Sequence, residues 1–405
     1  MPNLQGDKIP MSHTLSTRQF FLAVVMITIL AACSTDVRPP VGHMDTPRHH
    51  YENGLRFLDD NDLQRATQEF HLALEMDPDY GPALSGRGVV LAMRGDEDGA
   101  REFLDEGYSA AQDEEQELVS HISAIRSSAA LAENGALSPG EAADWSEDAF
   151  VDGLDLIEDN PGLNDPALYY YMGDTYLQAL DFASAETMYS RARDLGQGYE
   201  AKAEARWRMV QDIRRAAPQS SIGKRIALVE SITRADMAAL LVEELDIEQL
   251  FGSPSMAGAS SSGFTPPGSS PSGTAADRVT DIWGHPLRAD MERVINLGVR
   301  GLAPYEDGRF DPDAPMARAE VALVLEDIIV RATNTPSLAT MFFGQQSPFA
   351  DMRSDHPAFN AVMVCTTRGL MAGRAGSGNF DPTGGYSGAE AVLSINQLRV
   401  ELDRL

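Results

Sequence analysis

Residues 54–78 read GLRFLDDNDLQRATQEFHLALEMDP, and their spacing decides the architecture. Apolar residues return at three- and four-residue intervals on both sides of a polar centre, which predicts two amphipathic helices joined by a short turn. Gly54, Ala66 and Ala73 are small enough to let those helices approach closely, while Phe57 and Phe70 fill the space between this hairpin and the next. Pro78 lacks an amide hydrogen and ends the second helix. The pattern returns 34 residues later as Gly88, Leu91, Ala100, Leu104 and Gly107, and again as Gly173, Tyr176, Ala185, Tyr189 and Ala192.

A repeat of this length and composition resembles the tetratricopeptide (TPR) repeat, a helix–turn–helix unit. One such hairpin cannot bury its apolar stripe alone, so the resemblance implies a stack. Between the second and third copies, Glu114–Glu133 and Pro139–Asp159 are predicted as two further helices forming a divergent hairpin. Tyr199–Ala216 is predicted as a closing helix with Lys202, Arg206, Arg208, Arg214 and Arg215 on its surface. Stacks of this kind receive a peptide or helix on the face lined by their first helices, here around Tyr51–Leu58, Leu84–Leu91 and Tyr169–Tyr176.

The stretch from Gly252 to Ala276 is rich in Gly, Ser and Pro and carries no charge, which predicts a flexible linker. Beyond it a second repeat appears. Val279-Thr280-Asp281, a helix over Leu287–Leu297, Gly298, Gly301, the run Asp307–Pro312 and Met316–Glu320 (MARAE) are echoed downstream. The echo is Phe349-Ala350-Asp351, a helix over Ala358–Thr367, Gly369, Gly373, the run Gly378–Pro382 and Ser387–Glu390. A fragment, Ile232–Asp236 (ITRAD), lies before the linker. These elements resemble the S-layer homology (SLH) module, with its F-x-D opening, glycine loop and T-R-A-E helix start. That resemblance implies three modules packed as a pseudo-threefold bundle that binds cell-wall polysaccharide or peptidoglycan. The first module lacks the opening acid, its helix and the glycine loop, and the third has Gly388 where the pattern carries arginine.

Arg234 and Arg318 are the arginines that the resemblance offers as glycan contacts. An arginine in the first helical turn adds a rigid fork of donors to N–H groups that already favour an anion. The competing expectations are that each arginine pairs with an acid of a neighbouring module and that Asp236, Glu320 and Glu390 cap the N–H groups. Asp281 and Asp351 are expected to be helix caps. Trp283, His285 and His356 are expected to pack between modules, with stacking on a sugar as the alternative. His43, His49 and His50 could catch a metal, and Asp307–Asp313 only superficially suggests a calcium loop, since Arg309 and Pro312 stand at positions that need a ligand and a glycine.

At the other end, Lys8 and Arg18 precede the apolar run Phe20–Leu30, about half the length that crosses a bilayer and suited to an export signal. Leu30-Ala31-Ala32-Cys33 resembles the lipobox of bacterial lipoproteins, which implies an acylated Cys33 as the first mature residue. Ser34 favours the outer membrane. The second cysteine, Cys365, lies in an apolar stretch and reads as a buried thiol, so no intramolecular disulfide is expected.

The chain carries 32 basic and 61 acidic residues. From Met44 to Ser220 there are 14 basic and 36 acidic side chains, against 11 and 16 from Val279 onward. The first half should therefore repel nucleic acid and anionic lipid. Metalloprotease, C-x-x-C, phosphate-loop and nucleophile-elbow motifs do not occur in the sequence.

The expectation is a mainly α protein with this organisation: signal peptide over 1–32, polar leader over 33–47, TPR-like domain over 48–217, truncated module over 222–251, linker over 252–276, and SLH-like modules over 277–334 and 347–405. It would act without cofactor or metal, as a scaffold between membrane, a protein partner and the wall. Alternatives are an assembly or export accessory that binds only proteins, and a wall-remodelling enzyme.

Overall fold

The computed structural model describes residues 37–252, 274–374 and 376–404. The expected signal peptide, Cys33 and most of the Gly/Ser/Pro linker lie outside the described residues. The described chain is mainly helical and divides into two compact units, one up to residue 123 and one from residue 124 onward. None of its helices is long and apolar enough to cross a membrane.

The first unit contains α1 (Pro47–Asp59), α2 (Leu63–Met76), α3 (Gly81–Met93) and α4 (Glu97–Ser109). They pair as α1 with α2 and α3 with α4. The boundary between the units falls within α5 (Glu114–Glu133). Phe70 of α2 is fully buried, and a Cβ added at Gly54 or at Gly86 would run into its ring. The ring is thus wedged between the first helices of successive hairpins, which is why neither position tolerates a side chain.

The second unit begins with the rest of α5 and continues through α6 (Pro139–Asp159), α7 (Pro166–Gln178), α8 (Phe182–Leu195) and α9 (Glu200–Ala216). Ser128 of α5 hydrogen-bonds Ser146 of α6, which reaches Thr175 of α7 at 3.1 Å. In α7, a Cβ at Gly173 would lie 2.7 Å from Tyr189 of α8, and in α3 one at Gly88 would lie 2.9 Å from Leu104 of α4. The same sixteen-residue interval therefore sets the same close approach in all three hairpins. Ala66, Ala73, Ala100, Ala185 and Ala192 are fully buried, while Phe57 and Tyr176 are partly buried against the cores.

A shared turn also relates the hairpins. Asn61, Gly95 and Leu180 adopt positive φ, and the next residue, Asp62, Asp96 or Asp181, caps the second helix with its carboxylate. A carboxylate there accepts an otherwise unpaired N–H of the first turn.

The C-terminal part comprises α10 (Ser221–Ile226), α11 (Arg234–Glu243), α12 (Ile247–Phe251), α13 (Arg288–Leu297), α14 (Arg318–Ala332), α15 (Phe359–Thr367) and α16 (Gly388–Leu402). A single apolar core runs from Leu177 in α7 through Val210 and Ile213 of α9 to Leu398 of α16. The sequence places a boundary near residues 217–222. The core passes through it, because α9 packs on α16 and Asn396 donates to the Ala217 carbonyl at 3.3 Å.

Candidate functional site

The C-terminal part is built around three helix starts, α11, α14 and α16. Each is preceded by an extended residue and capped by its own acid. Thr233 N–H donates to Asp236 (2.8 Å), Ala317 N–H to Glu320 (2.8 Å) and Ser387 N–H to Glu390 (3.1 Å). The first N–H groups of each helix do not face solvent. Arg234 and Ala235 donate to the carbonyls of Ala314 and Pro312, and Arg318 and Ala319 donate to those of Gly384 and Pro382. Gly388 N–H closes the ring on the Val229 carbonyl at 2.8 Å. Backbone carbonyls of the neighbouring segment thus take the positions that an anion would otherwise fill.

The arginines follow the same cyclic rule. Arg234 is 7% exposed and donates to the carbonyls of Phe310 (2.7 Å), Gly301 (2.8 Å) and Ala303 (3.0 Å). Arg318 is 1% exposed and donates to the Phe380 carbonyl (2.9 Å), to Glu390 (2.8 Å) and to the Ala372 carbonyl. Each guanidinium also lies over an aromatic ring of the loop it grips, Phe310 at 4.7 Å and Phe380 at 5.0 Å. The expected pairing with a neighbouring module's acid occurs once, at Arg318; Arg234 holds only carbonyls.

Asp281 and Asp351 are not helix caps. Asp281 accepts the N–H groups of Phe310 and Asp311, and Asp351 those of Phe380 and Asp381, 29 and 30 residues downstream in both cases. Asp311 and Asp381 both adopt positive φ, which aims their N–H groups at the acid. Burial pushes the Asp351 carboxyl up, but backbone donors, these two foremost, together with the Arg318 charge hold it below the ordinary range. The loop then presents the carbonyl that the preceding module's arginine takes.

The module that lacks its loop is completed by other parts of the chain. A Cβ at Gly388 would collide with the Ile226 carbonyl, so the C-terminal end of α10 occupies the place of the missing arginine. Buried Glu244 pins the other end of α10 by accepting the N–H groups of Gln219 (3.1 Å) and Ser220 (2.8 Å). The missing loop therefore does not leave the bundle open.

A cavity of about 470 Å³ lies between α9, the start of α16 and the loop Gly369–Arg374. Its wall mixes Arg215, Arg374, Asp212, Glu390, Tyr386 and Ser387. Arg374 is held at the rim by Asp381 (3.0 Å) and the Gly385 carbonyl (3.2 Å), and Arg318 lies beneath it through their shared partner Glu390. Trp283 does not pack between modules. It is 56% exposed, its N–H donates to the Val279 carbonyl (3.0 Å), and the Arg288 guanidinium sits 3.8 Å over the indole. His285 and His356 each accept an N–H two residues on, at 3.0 and 3.1 Å, and so shape the turns before α13 and α15. Cys365 is fully buried and burial pushes its thiol up, away from a reactive thiolate.

In the first unit, His50 is held by carboxylates. Its ring nitrogens lie 2.7 Å from Glu69 and 2.8 Å from Asp45. Among the described residues, no group of three or more His, Cys, Asp or Glu side chains converges to hold a metal. Burial lowers the proton affinity of His50, but the two carboxylates raise it further, for a net rise above 6.5. The protonated ring therefore stabilises the fold fully below about pH 6.5, and this contribution fades as pH rises through the raised folded value. The melting temperature should fall as pH rises above about 6.5, and His50→Asn should flatten that slope. An unchanged slope in the variant would contradict the assignment.

Of the three first helices expected to offer a partner-binding face, α1 buries only Gly54 and Leu58, while α3 and α7 are largely covered. Most of α3 from Gly81 to Val90 is buried, as are Leu168, Tyr169, Tyr171 and Met172 of α7. What remains accessible near α7 is an aromatic and basic cluster in which Tyr170 packs 5.4 Å from Tyr199 and Lys202 lies 3.6 Å over the latter ring.

The S-layer homology domain family matches residues 348–392, which span Asp351, α15, the Phe380 loop and the start of α16. No curated protein and no solved structure matches the chain.

Proposed function

We propose that the protein is a lipid-anchored tether of the bacterial cell envelope, fixed by acylated Cys33 at the periplasmic face of the outer membrane. Its C-terminal unit would bind cell-wall glycan or a peptidoglycan-linked polymer, and its TPR-like hairpins would hold a protein partner. The observation that carries this reading is the S-layer homology match at 348–392. It is reinforced by the repeat of the same acid-to-loop geometry at Asp281 and Asp351. Arg234 and Arg318 would then act as positioning residues that hold the loops. The polar rim of the cavity, with Arg215 and Arg374, and the exposed face of Trp283 would meet the polymer.

Sedimentation of the purified mature protein with peptidoglycan sacculi tests this directly. Arg215→Ala combined with Arg374→Ala should weaken binding about tenfold, equivalent to about 1.4 kcal/mol, without lowering the melting temperature. Retention identical to wild type, with Trp283→Ala also silent, would contradict glycan binding at these surfaces. A second reading, an assembly accessory that binds only proteins, draws on the Tyr170–Tyr199–Lys202 cluster. It predicts no sedimentation with sacculi by any form of the protein.

A further inference from the structure

The segment that leads into α1 is clamped to the first hairpin. Arg38 N–H donates to the Glu75 carbonyl at 2.7 Å, and the Arg38 guanidinium grips both oxygens of Asp45 at 2.8 Å. Asp45 also accepts Val41 N–H at 2.6 Å and lies 2.8 Å from His50, whose other ring nitrogen is bound to Glu69. The side chains that this clamp turns outward are apolar. Val37 is 54% exposed, Val41 88% and Met44 67%, so three of the twelve exposed large hydrophobics of the described residues fall within eight positions.

The position of the acylated residue says what covers them. Val37 follows Cys33 by four residues, and four residues span at most about 14 Å. The interfacial layer of a bilayer is about 6 Å thick on each side. That reach lets Val37 enter the interfacial layer, and the clamp keeps Val41 and Met44 in the same short, tied-down segment. Arg38 is paired with Asp45 and Glu75, so contact would rest on apolar burial and not on attraction to anionic lipid.

We propose that residues 37–46 are a membrane-contact surface, in which Val37, Val41 and Met44 enter the interfacial layer of the leaflet that holds the anchor. The clamp would then fix how the first hairpin stands on the membrane. This rests on acylation of Cys33.

The test is a nitroxide label at Val41→Cys in the full-length acylated protein, reconstituted in phosphatidylcholine vesicles. Val41 is almost fully exposed, so the fold is undisturbed, and Cys365 is buried from the reagent. The label should collide more often with oxygen than with a water-soluble nickel chelate. The same label in a Cys33→Ser background should report water in the same vesicles. A water-like label in protein whose Cys33 carries acyl chains by mass spectrometry would overturn the contact and leave the anchor standing. A Cys33 without acyl mass would overturn both.

Discussion

Replacing Gly388 with arginine, the residue that the S-layer homology pattern carries there, should unfold the C-terminal unit and restore no binding contact. Any Cβ at this position meets the Ile226 carbonyl. That carbonyl belongs to a segment held downstream by Gly388 N–H to Val229 and by Ile232 N–H to the Tyr386 carbonyl at 2.9 Å, and upstream by Ser220 N–H to Glu244. No rotamer relieves a clash between two backbones, so the helix start must move and the ring of bonds joining the three helix starts must open. Overpacking a well-filled interior costs about 1–3 kcal/mol. The cost here should reach or exceed the top of that range, and even Gly388→Ala should bring most of it. Urea unfolding monitored by circular dichroism measures the effect. A Gly388→Ala midpoint equal to wild type would mean that residues 226–229 do not fill the place of the missing arginine.

The second large effect is expected at Arg318. Removing it leaves the Phe380 and Ala372 carbonyls without their side-chain donor and leaves Glu390 to Arg374 alone. Glu390 is partly exposed and keeps Arg374, whereas each buried carbonyl left without its donor costs about 1–3 kcal/mol. Arg318→Lys should recover little of it, because one ammonium group cannot reach three acceptors arranged for a planar fork. Arg309 gives the contrast: it is exposed and pairs only with Asp307 at 2.8 Å, so Arg309→Ala should change stability by less than about 0.5 kcal/mol. Loss of sacculus binding by Arg318→Ala would therefore report a collapsed loop, and its melting curve must accompany any binding measurement. A normal midpoint for Arg318→Ala would contradict the structural role.

The features legible in the sequence are those set by short-range periodicity. Gly54 with Phe70, Gly88 with Leu104 and Gly173 with Tyr189 are found from spacing alone because a helical hairpin of fixed length dictates the interval. The helix limits Glu114–Glu133 and Pro139–Asp159 likewise follow from local pattern and from Pro139 at a helix start. The shared turn was also available. An Asp follows the left-handed residue in all three hairpins, although Leu180 disguises the third copy by occupying a conformation that suits Asn or Gly.

What stayed hidden depends on which chain segment lies opposite which. Arg318 at a helix start looks like an exposed donor until the loop around Phe380, more than sixty residues away, is folded over it. Asp281 and Asp351 look like caps until the loop 29 residues on is brought to them. Gly388 reads as a lost binding residue, and only the position of the Ile226 carbonyl reveals a steric requirement. The burial of α3 and α7 in their units also escapes a reading by repeat alone, because periodicity names an apolar face without naming what covers it.

Fractionation of the producing cell tests the tether most directly. Membranes and sacculi would be prepared from wild type, from a Cys33→Ala strain and from an Arg215→Ala, Arg374→Ala strain, and the protein followed by immunoblot. The account predicts that wild type is found in both fractions, that Cys33→Ala leaves the membranes but stays on sacculi, and that the double variant leaves sacculi but stays on the membranes. Partition of the wild type to membranes alone, with none retained on sacculi, would contradict it.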